Sequence, residues 1–299
     1  MTASLEDIDA KVKAIAKRNP VYSESTQFVG DLLSATVQAA GNFSPPELSF
    51  DLGQLSDAWS QGKSFLDPGE MPLDWKQTRA LYKQLVELVK ESKDGPRQVK
   101  GLMQVMAGDQ DSIPKLMKAA LTSDIKTIET AARELSVDPP VLTLLLRLSM
   151  RPALLEVARA AQNILDLSQW NHGHCPVCGS APRLADLSGE GGKRTLHCSL
   201  CETAWPYVRL QCPFCENDNR DDLSYLRAES EAGLRVDLCS RCGHYVKTID
   251  LRELPGPIIV PLDDMATWHL DLIAQKNLKE NKAGRQYNGS YLQRKIYQP

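Results

Sequence analysis

At 299 residues the chain is long enough for one large domain or about two ordinary ones. Its 42% hydrophobic and 24% charged residues are the composition of a soluble globular protein, and a net charge of −3 argues against a general polyanion binder, which needs a clustered excess of Lys and Arg. The opening MTASLEDIDAKVKAIAK has early acidic residues and no apolar core ahead of a small-residue cleavage site, so it does not read as a secretory signal. The apolar run VLTLLLRLSM at 141–150 is interrupted by Arg147 and falls short of the roughly 20 residues that span a bilayer; it reads as a buried helix, and no membrane insertion is expected.

From residue 1 to about 168 the pattern is helical. The segment GNFSPPELSFDLG, 41–53, interrupts it, with Pro45-Pro46 and a glycine near either end marking an ordered loop or a short extended crossing. In DWKQTRALYKQLVELVKESKDG, Asp74 is placed to cap a helix, and Trp75, Leu81, Leu85, Leu88 and Val89 recur at three- and four-residue steps until Gly95-Pro96. The pattern resumes through Ile125, Ile128 and Ala132. Asp138 then caps a further helix with Pro139 in its first turn, and Pro152 predicts a kink or a fresh start before the apolar positions run out near Leu167. This half contains neither His nor Cys, and its carboxylates read as solvated helix faces rather than catalytic groups.

Beyond Trp170 the character changes to short β-like pieces, KRTLHC, WPYVRLQC, LRVDLC and YVKTIDL. Gly189, Gly191 and Gly192 mark one hairpin tip, and Glu231-Ala232-Gly233 another. LPGPIIVPLDD reads as a Pro-rich connector, Asp263 to about Lys276 as one amphipathic helix, and the polar remainder as a flexible tail. All eight cysteines fall in this half, as Cys175/Cys178, Cys198/Cys201, Cys212/Cys215 and Cys239/Cys242, with intervals of nineteen, ten and twenty-three residues.

Paired cysteines without a secretory signal point to a reducing compartment and to metal ligands or redox groups rather than structural disulfides. One tight turn supplies two thiolates, and a second turn brought opposite by a hairpin completes a tetrahedron, so each half of the cysteine region contains what one site needs. Four sulfurs suit zinc or a rubredoxin-like single iron, and ligand count does not separate them. LHCSLCETAWPYVRL and DLCSRCGHYVKTIDL share Cys-Ser-x-Cys followed by Tyr-Val, which suggests duplication. Gly179 and Gly243 follow a second cysteine, where positive φ lets N–H groups point at sulfur; Glu202 and Glu216 stand at the equivalent places, and those two turns are expected to be distorted.

Rival readings are weaker. CPVC and CPFC look like oxidoreductase dipeptides, but those sit at a helix N-terminus, and CPFC here precedes the turn-rich acidic ENDNRDD. Residues 171–254 carry ten Lys plus Arg against twelve Asp plus Glu, which removes the electrostatic support for a nucleic-acid-binding or transcription-associated zinc ribbon. Four thiolates leave no open position for a catalytic metal. His172, His174, His197 and His244 lie near the motifs and read as supporting groups rather than ligands; Trp205 and Tyr207 read as hydrophobic cover, and Arg209 as a surface charge or a partner contact.

The runs CPVCGSAP, LHCSLCETAWPYVRLQCPFCE and CSRCGHYVK, followed by DDMATWHLDLIA, resemble the formate dehydrogenase accessory protein (FdhE) family. The resemblance covers roughly residues 170 to 275 through the order of the cysteine pairs, His197 to Cys201, Trp205, Arg209 and the terminal helix. It implies a cytoplasmic assembly factor rather than an enzyme, one that associates with the catalytic subunit of a respiratory formate dehydrogenase. It also implies two metal ions, with rubredoxin-like iron favoured and zinc the alternative, and leaves a homodimer open. Carried onto this chain, the ligands are Cys175, Cys178, Cys198 and Cys201 in one site and Cys212, Cys215, Cys239 and Cys242 in the other. An interleaved grouping stays open, because only ten residues separate the middle pairs. The expected fold is α plus small β: an all-helical domain at 1–168, tandem rubredoxin-like or zinc-ribbon modules at 169–210 and 211–254, and a connector, helix and tail at 255–299.

Overall fold

The computed structural model describes residues 3–44, 59–92, 95–107, 112–227 and 231–280. The chain divides into two units, one ending at Ala160 and the other formed by the described residues of 59–65 together with those from Ala161 onward. Most of the 41–53 segment, and the tail beyond Glu280, lie outside the described residues.

The first unit is helical: α1 (Leu5–Arg18), α2 (Ser23–Ala39), α3 (Trp75–Lys90), α4 (Gly95–Ala107), α5 (Ser112–Leu121), α6 (Ile125–Leu135) and α7 (Pro139–Gln162). Ser4 and Asp7 cap α1 reciprocally, and Asp74 accepts from the Gln77 N–H at the start of α3. The buried stripe of α3 is Leu81, Tyr82, Leu85, Val86 and Val89, with Thr78. Trp75, expected on that stripe, is exposed. Gly95 opens α4 instead of merely closing the helix before it. α7 runs on through Pro152, so that proline neither ends nor restarts it.

The second unit is a six-stranded sheet of β1 (Pro182–Ser188), β2 (Lys193–Cys198), β3 (Ala204–Tyr207), β4 (Leu223–Arg227), β5 (Leu234–Cys239) and β6 (His244–Asp250), in the order β3-β2-β1-β6-β5-β4. Each ribbon is an antiparallel meander of three strands. They join by parallel pairing of β1 with β6, Leu184 opposite Lys247 through Leu187 opposite Asp250. In a three-stranded meander the outer strands run the same way, so the two repeats add head to tail into one sheet. Two pieces of that sheet were not expected from sequence. β1 is buried along most of its length, which erases the alternation that signals a strand, and β4 is a largely exposed edge. WPYVRLQC forms a strand only to Tyr207; residues 208–211 leave the sheet and lead to the next cysteine pair.

The expected single C-terminal helix is two, α8 (Val260–Met265) and α9 (Trp268–Glu280). Pro261 lies in the first turn of α8, where a missing N–H costs nothing, so the proline-rich stretch starts a helix. The Thr267 hydroxyl, bonding back to the carbonyls of Asp263 and Asp264, marks the break. α9 lays Leu270, Ala274 and Leu278 over Leu234, Val236, Leu238, Tyr245 and Ile249 of the sheet. Lys247, 1% exposed on β6, reaches the carboxylates of Asp264 at 2.7 Å and Asp271 at 2.8 Å, and Arg183 also pairs with Asp264. Two helices are thereby tied to the middle strands by charge as well as by apolar packing.

Candidate metal centres

Each cysteine pair opens a turn in which the backbone folds back on itself. Cys175 N–H donates to Ser180 O, Cys198 N–H to Thr203 O and Cys212 N–H to Asn217 O, at 2.8 to 2.9 Å. The residue after each second cysteine is left-handed in all four turns, with φ of 69° at Gly179, 56° at Glu202, 55° at Glu216 and 67° at Gly243. The expectation that the two glutamate turns are distorted is therefore corrected: they adopt the glycine geometry, at a conformational cost of about 1–2 kcal/mol each. That geometry points N–H groups at sulfur, from Leu200 and Cys201 to Cys198 Sγ at 3.3 and 3.4 Å, and from Phe214 to Cys212 Sγ at 3.4 Å.

The sheet brings these turns together in pairs. Cys175, Cys178, Cys198 and Cys201 form one group and Cys212, Cys215, Cys239 and Cys242 the other, with the sulfurs of each group all within 4.8 Å of one another. The grouping follows sequence order and is not interleaved. Neighbouring sulfurs stand 3.4 to 3.6 Å apart in the first group and 3.6 to 3.8 Å in the second. A tetrahedron with metal–sulfur bonds of about 2.3 Å has an edge of about 3.8 Å, so the donor set fits one tetrahedral ion in each group. None of the eight cysteines is joined in a disulfide.

The groups differ in exposure. The first is sealed, with every cysteine buried, whereas Cys215 and Cys242 of the second are only half-buried. Donation from Cys242 draws the Cys212 thiol down to about 5, although burial opposes it, while burial pushes Cys215 up to about 11. One sulfur of the second group is thus readily a thiolate, the form in which cysteine binds metal.

Comparison with known proteins meets this geometry. Residues 174–209 match the family model "FdhE, central domain". The chain is 39% identical over 111 residues to the Protein FdhE homolog of Aquifex aeolicus, a match covering 36% of this chain and 39% of that one. It is 28% identical over 265 residues to Protein FdhE of Salmonella choleraesuis, covering 87% of this chain and 80% of its relative. The crystal structure of the FdhE protein from Pseudomonas aeruginosa superposes with a TM-score of 0.65 at 19% identity over 93% of both chains, a likeness of fold. The chain is thus similar to FdhE proteins in its central segment, along most of its length and in fold. The stronger identities are local: the matches span about two-fifths of the length of the Aquifex relative and of the Edwardsiella ictaluri homolog.

Around the cysteine groups the histidines do what supporting residues do. Among the described residues, the groups able to hold a metal contain cysteine alone. His197 Nε2 lies 2.7 Å from Asp186 Oδ2, across the β1–β2 pair. His174 Nε2 lies 2.9 Å from the Gly62 carbonyl, which makes that nitrogen the N–H donor; burial pushes the imidazole pKa down, against the pull of that hydrogen bond. His172 pairs with Glu216, linking the approach to the first group with a turn of the second. Trp205 and Tyr207 are buried cover, and the Trp205 indole donates to the His172 carbonyl. Arg209 is exposed.

One supporting element was not legible in the FdhE-like sequence. Residues 59–65 lie against the first group: Phe65 N–H donates to Pro176 O at 2.9 Å inside CPVC, and the Trp59 ring stands 4.5 Å from that of Trp170. No cysteine or histidine there announces the role. The rival chemistries are not favoured by the geometry either. After Cys212 the described backbone makes a turn and later a 3-10 turn at Arg220–Asp222, with no α-helix N-terminus beneath the thiol to drive disulfide exchange.

Proposed function

We propose that this chain is a cytoplasmic, non-catalytic accessory factor that binds the catalytic subunit of a respiratory formate dehydrogenase and is needed for its activity. The observation that carries the reading is the match to Protein FdhE over most of both chains. The site chemistry agrees with it, because two closed four-sulfur groups leave no coordination position for a substrate. No helix among the described residues is long and apolar enough to cross a membrane.

In this reading residues 1–168 are the helical scaffold, and 169–210 and 211–254 are ribbons each folded on its own ion. Cys175, Cys178, Cys198 and Cys201 hold one ion; Cys212, Cys215, Cys239 and Cys242 hold the other. Iron is the metal proposed, with zinc as the alternative, since the sulfur set accommodates either. Bound metal supplies folding free energy of the order of 10 kcal/mol per site. The residues of the chain convert it into a rigid surface: the left-handed turns aim N–H groups at sulfur, and the β1–β6 pairing locks the ribbons together.

The test is capture of the immature catalytic subunit by metal-loaded, full-length protein, alongside formate dehydrogenase activity in cells lacking the chain. Capture together with lost activity is the expected result. Full activity in its absence would overturn the assignment.

A further inference from the structure

The two cysteine groups share a donor set but not a cover. Cys175, Cys178 and Cys198 are 0% exposed and Cys201 1%, whereas Cys215 and Cys242 of the second group stand half-buried. Residues 59–65 account for part of the difference. Phe65 N–H donates to Pro176 O, and the Ser64 side chain comes so close to Gly179 that a Cβ there would meet its Oγ at 3.0 Å, so this segment lies over the first CPVC turn. The Trp170 indole, donating to His174 O at 2.8 Å, closes the approach to the same turn. The CPFC turn of the second group borders a cavity of about 130 Å³ instead, whose walls include Cys212, Pro213, Phe214, Cys239 and His244.

Within the second group the sulfurs divide by position. Cys212 and Cys239, the first cysteine of each turn, are buried at 3% and 2% exposure; Cys212 Sγ accepts from Phe214 N–H at 3.4 Å, and Cys239 Sγ from the Asn217 side-chain amide at 3.9 Å. Cys215 and Cys242, the second cysteine of each turn, are the two that solvent reaches. An ion here is anchored on the inner pair and approachable past the outer pair.

Exchange at a filled four-sulfur centre requires an incoming donor to reach the ion and a sulfur to let go. At a sealed centre that happens only through local opening, whose free energy adds to the barrier, while a half-exposed centre needs no opening. The new metal–donor bond forms as a metal–Sγ bond breaks, and the released thiolate takes a proton from water, with no change in oxidation state.

We infer that the two centres differ in function: the first holds a permanent structural ion, and the second exchanges its ion with thiol or chelating ligands that enter past Cys215 and Cys242. The inference rests on the reading of both groups as metal sites and goes beyond it in giving them separate roles.

The test uses full-length protein loaded with zinc, one ion per group by elemental analysis, and challenged with excess 4-(2-pyridylazo)resorcinol, whose zinc complex is read by absorbance. One ion should leave about ten-fold faster than the other, or more. Iodoacetamide added between the two phases, followed by peptide mass spectrometry, should label the cysteines of the second group and spare those of the first. Release of both ions at one rate, or early label on the first group, would overturn the inference. Incomplete loading before the challenge is a separate failure: it removes the two-site reading, and the division of roles with it.

Discussion

Gly173 lies directly against the backbone carbonyl of Pro213, so close that a Cβ at position 173 would collide with it. The glycine leads into the first cysteine pair and the proline sits inside the third, so this contact presses the approach to one group onto a turn of the other. Gly173→Ala should destabilise the metal-loaded protein by about 1–3 kcal/mol, the range for overpacking a tight site. Chemical denaturation of metal-replete protein checks it, with the wild-type midpoint as reference.

Removing a single ligand should remove one ion, not two. Each four-sulfur group is complete within its own ribbon, so Cys198→Ser should lose the metal of the first group and Cys212→Ser that of the second. The loss should fall heavily on folding, since a structural site contributes of the order of 10 kcal/mol. Elemental analysis should read about one equivalent less per chain, and far-ultraviolet circular dichroism should show lost strand signal. A variant retaining the wild-type metal content would count against these residues as ligands.

The left-handed residue after each second cysteine predicts an asymmetry between glycine and glutamate positions. Gly243→Ala should cost about 1 kcal/mol, because φ of 67° is strained for any residue with a Cβ. Glu216→Gly relieves the same strain but gives up the half-exposed pair with His172, worth no more than about 1 kcal/mol, so it should be near neutral. Thermal midpoints of the two variants, measured at equal metal content, separate them.

Acid should loosen the attachment of the C-terminal helices. Burial pushes the Asp264 carboxyl up, but the Arg183 guanidinium and the Lys247 ammonium outweigh it and hold it below the usual carboxylate range. A depressed folded-state pKa gives stability that is fully present above the unfolded value of about 3.9 and is lost as pH falls through the folded value. Asp264→Asn should therefore cost about 3–5 kcal/mol at neutral pH, because Lys247 stays buried with one carboxylate fewer. The gap between variant and wild type should close below about pH 4. Denaturation midpoints of the two proteins between pH 7 and pH 3 test this, and their difference removes any loss of metal common to both.

The sequence by itself determined the chemistry and the local turns. Eight cysteines in four pairs, with hairpin-length intervals, specify two four-sulfur groups because sulfur ligands are recognisable one by one and each turn is short-range. The helix cap at Asp74 and the glycine at position 243 were legible for the same reason: their effects are decided within four residues of chain. Only the tertiary structure decided what lies next to what. The fusion of two ribbons into one sheet depends on β1 meeting β6 some sixty residues later, and burial on both faces of β1 removes the periodicity that would have disclosed it. The seating of residues 59–65 on the first group, and the half-burial of Cys215 and Cys242 in the second, are likewise invisible along the chain. A Cys-x-x-Cys pair reads the same in either ribbon until folding brings distant segments over one and not the other.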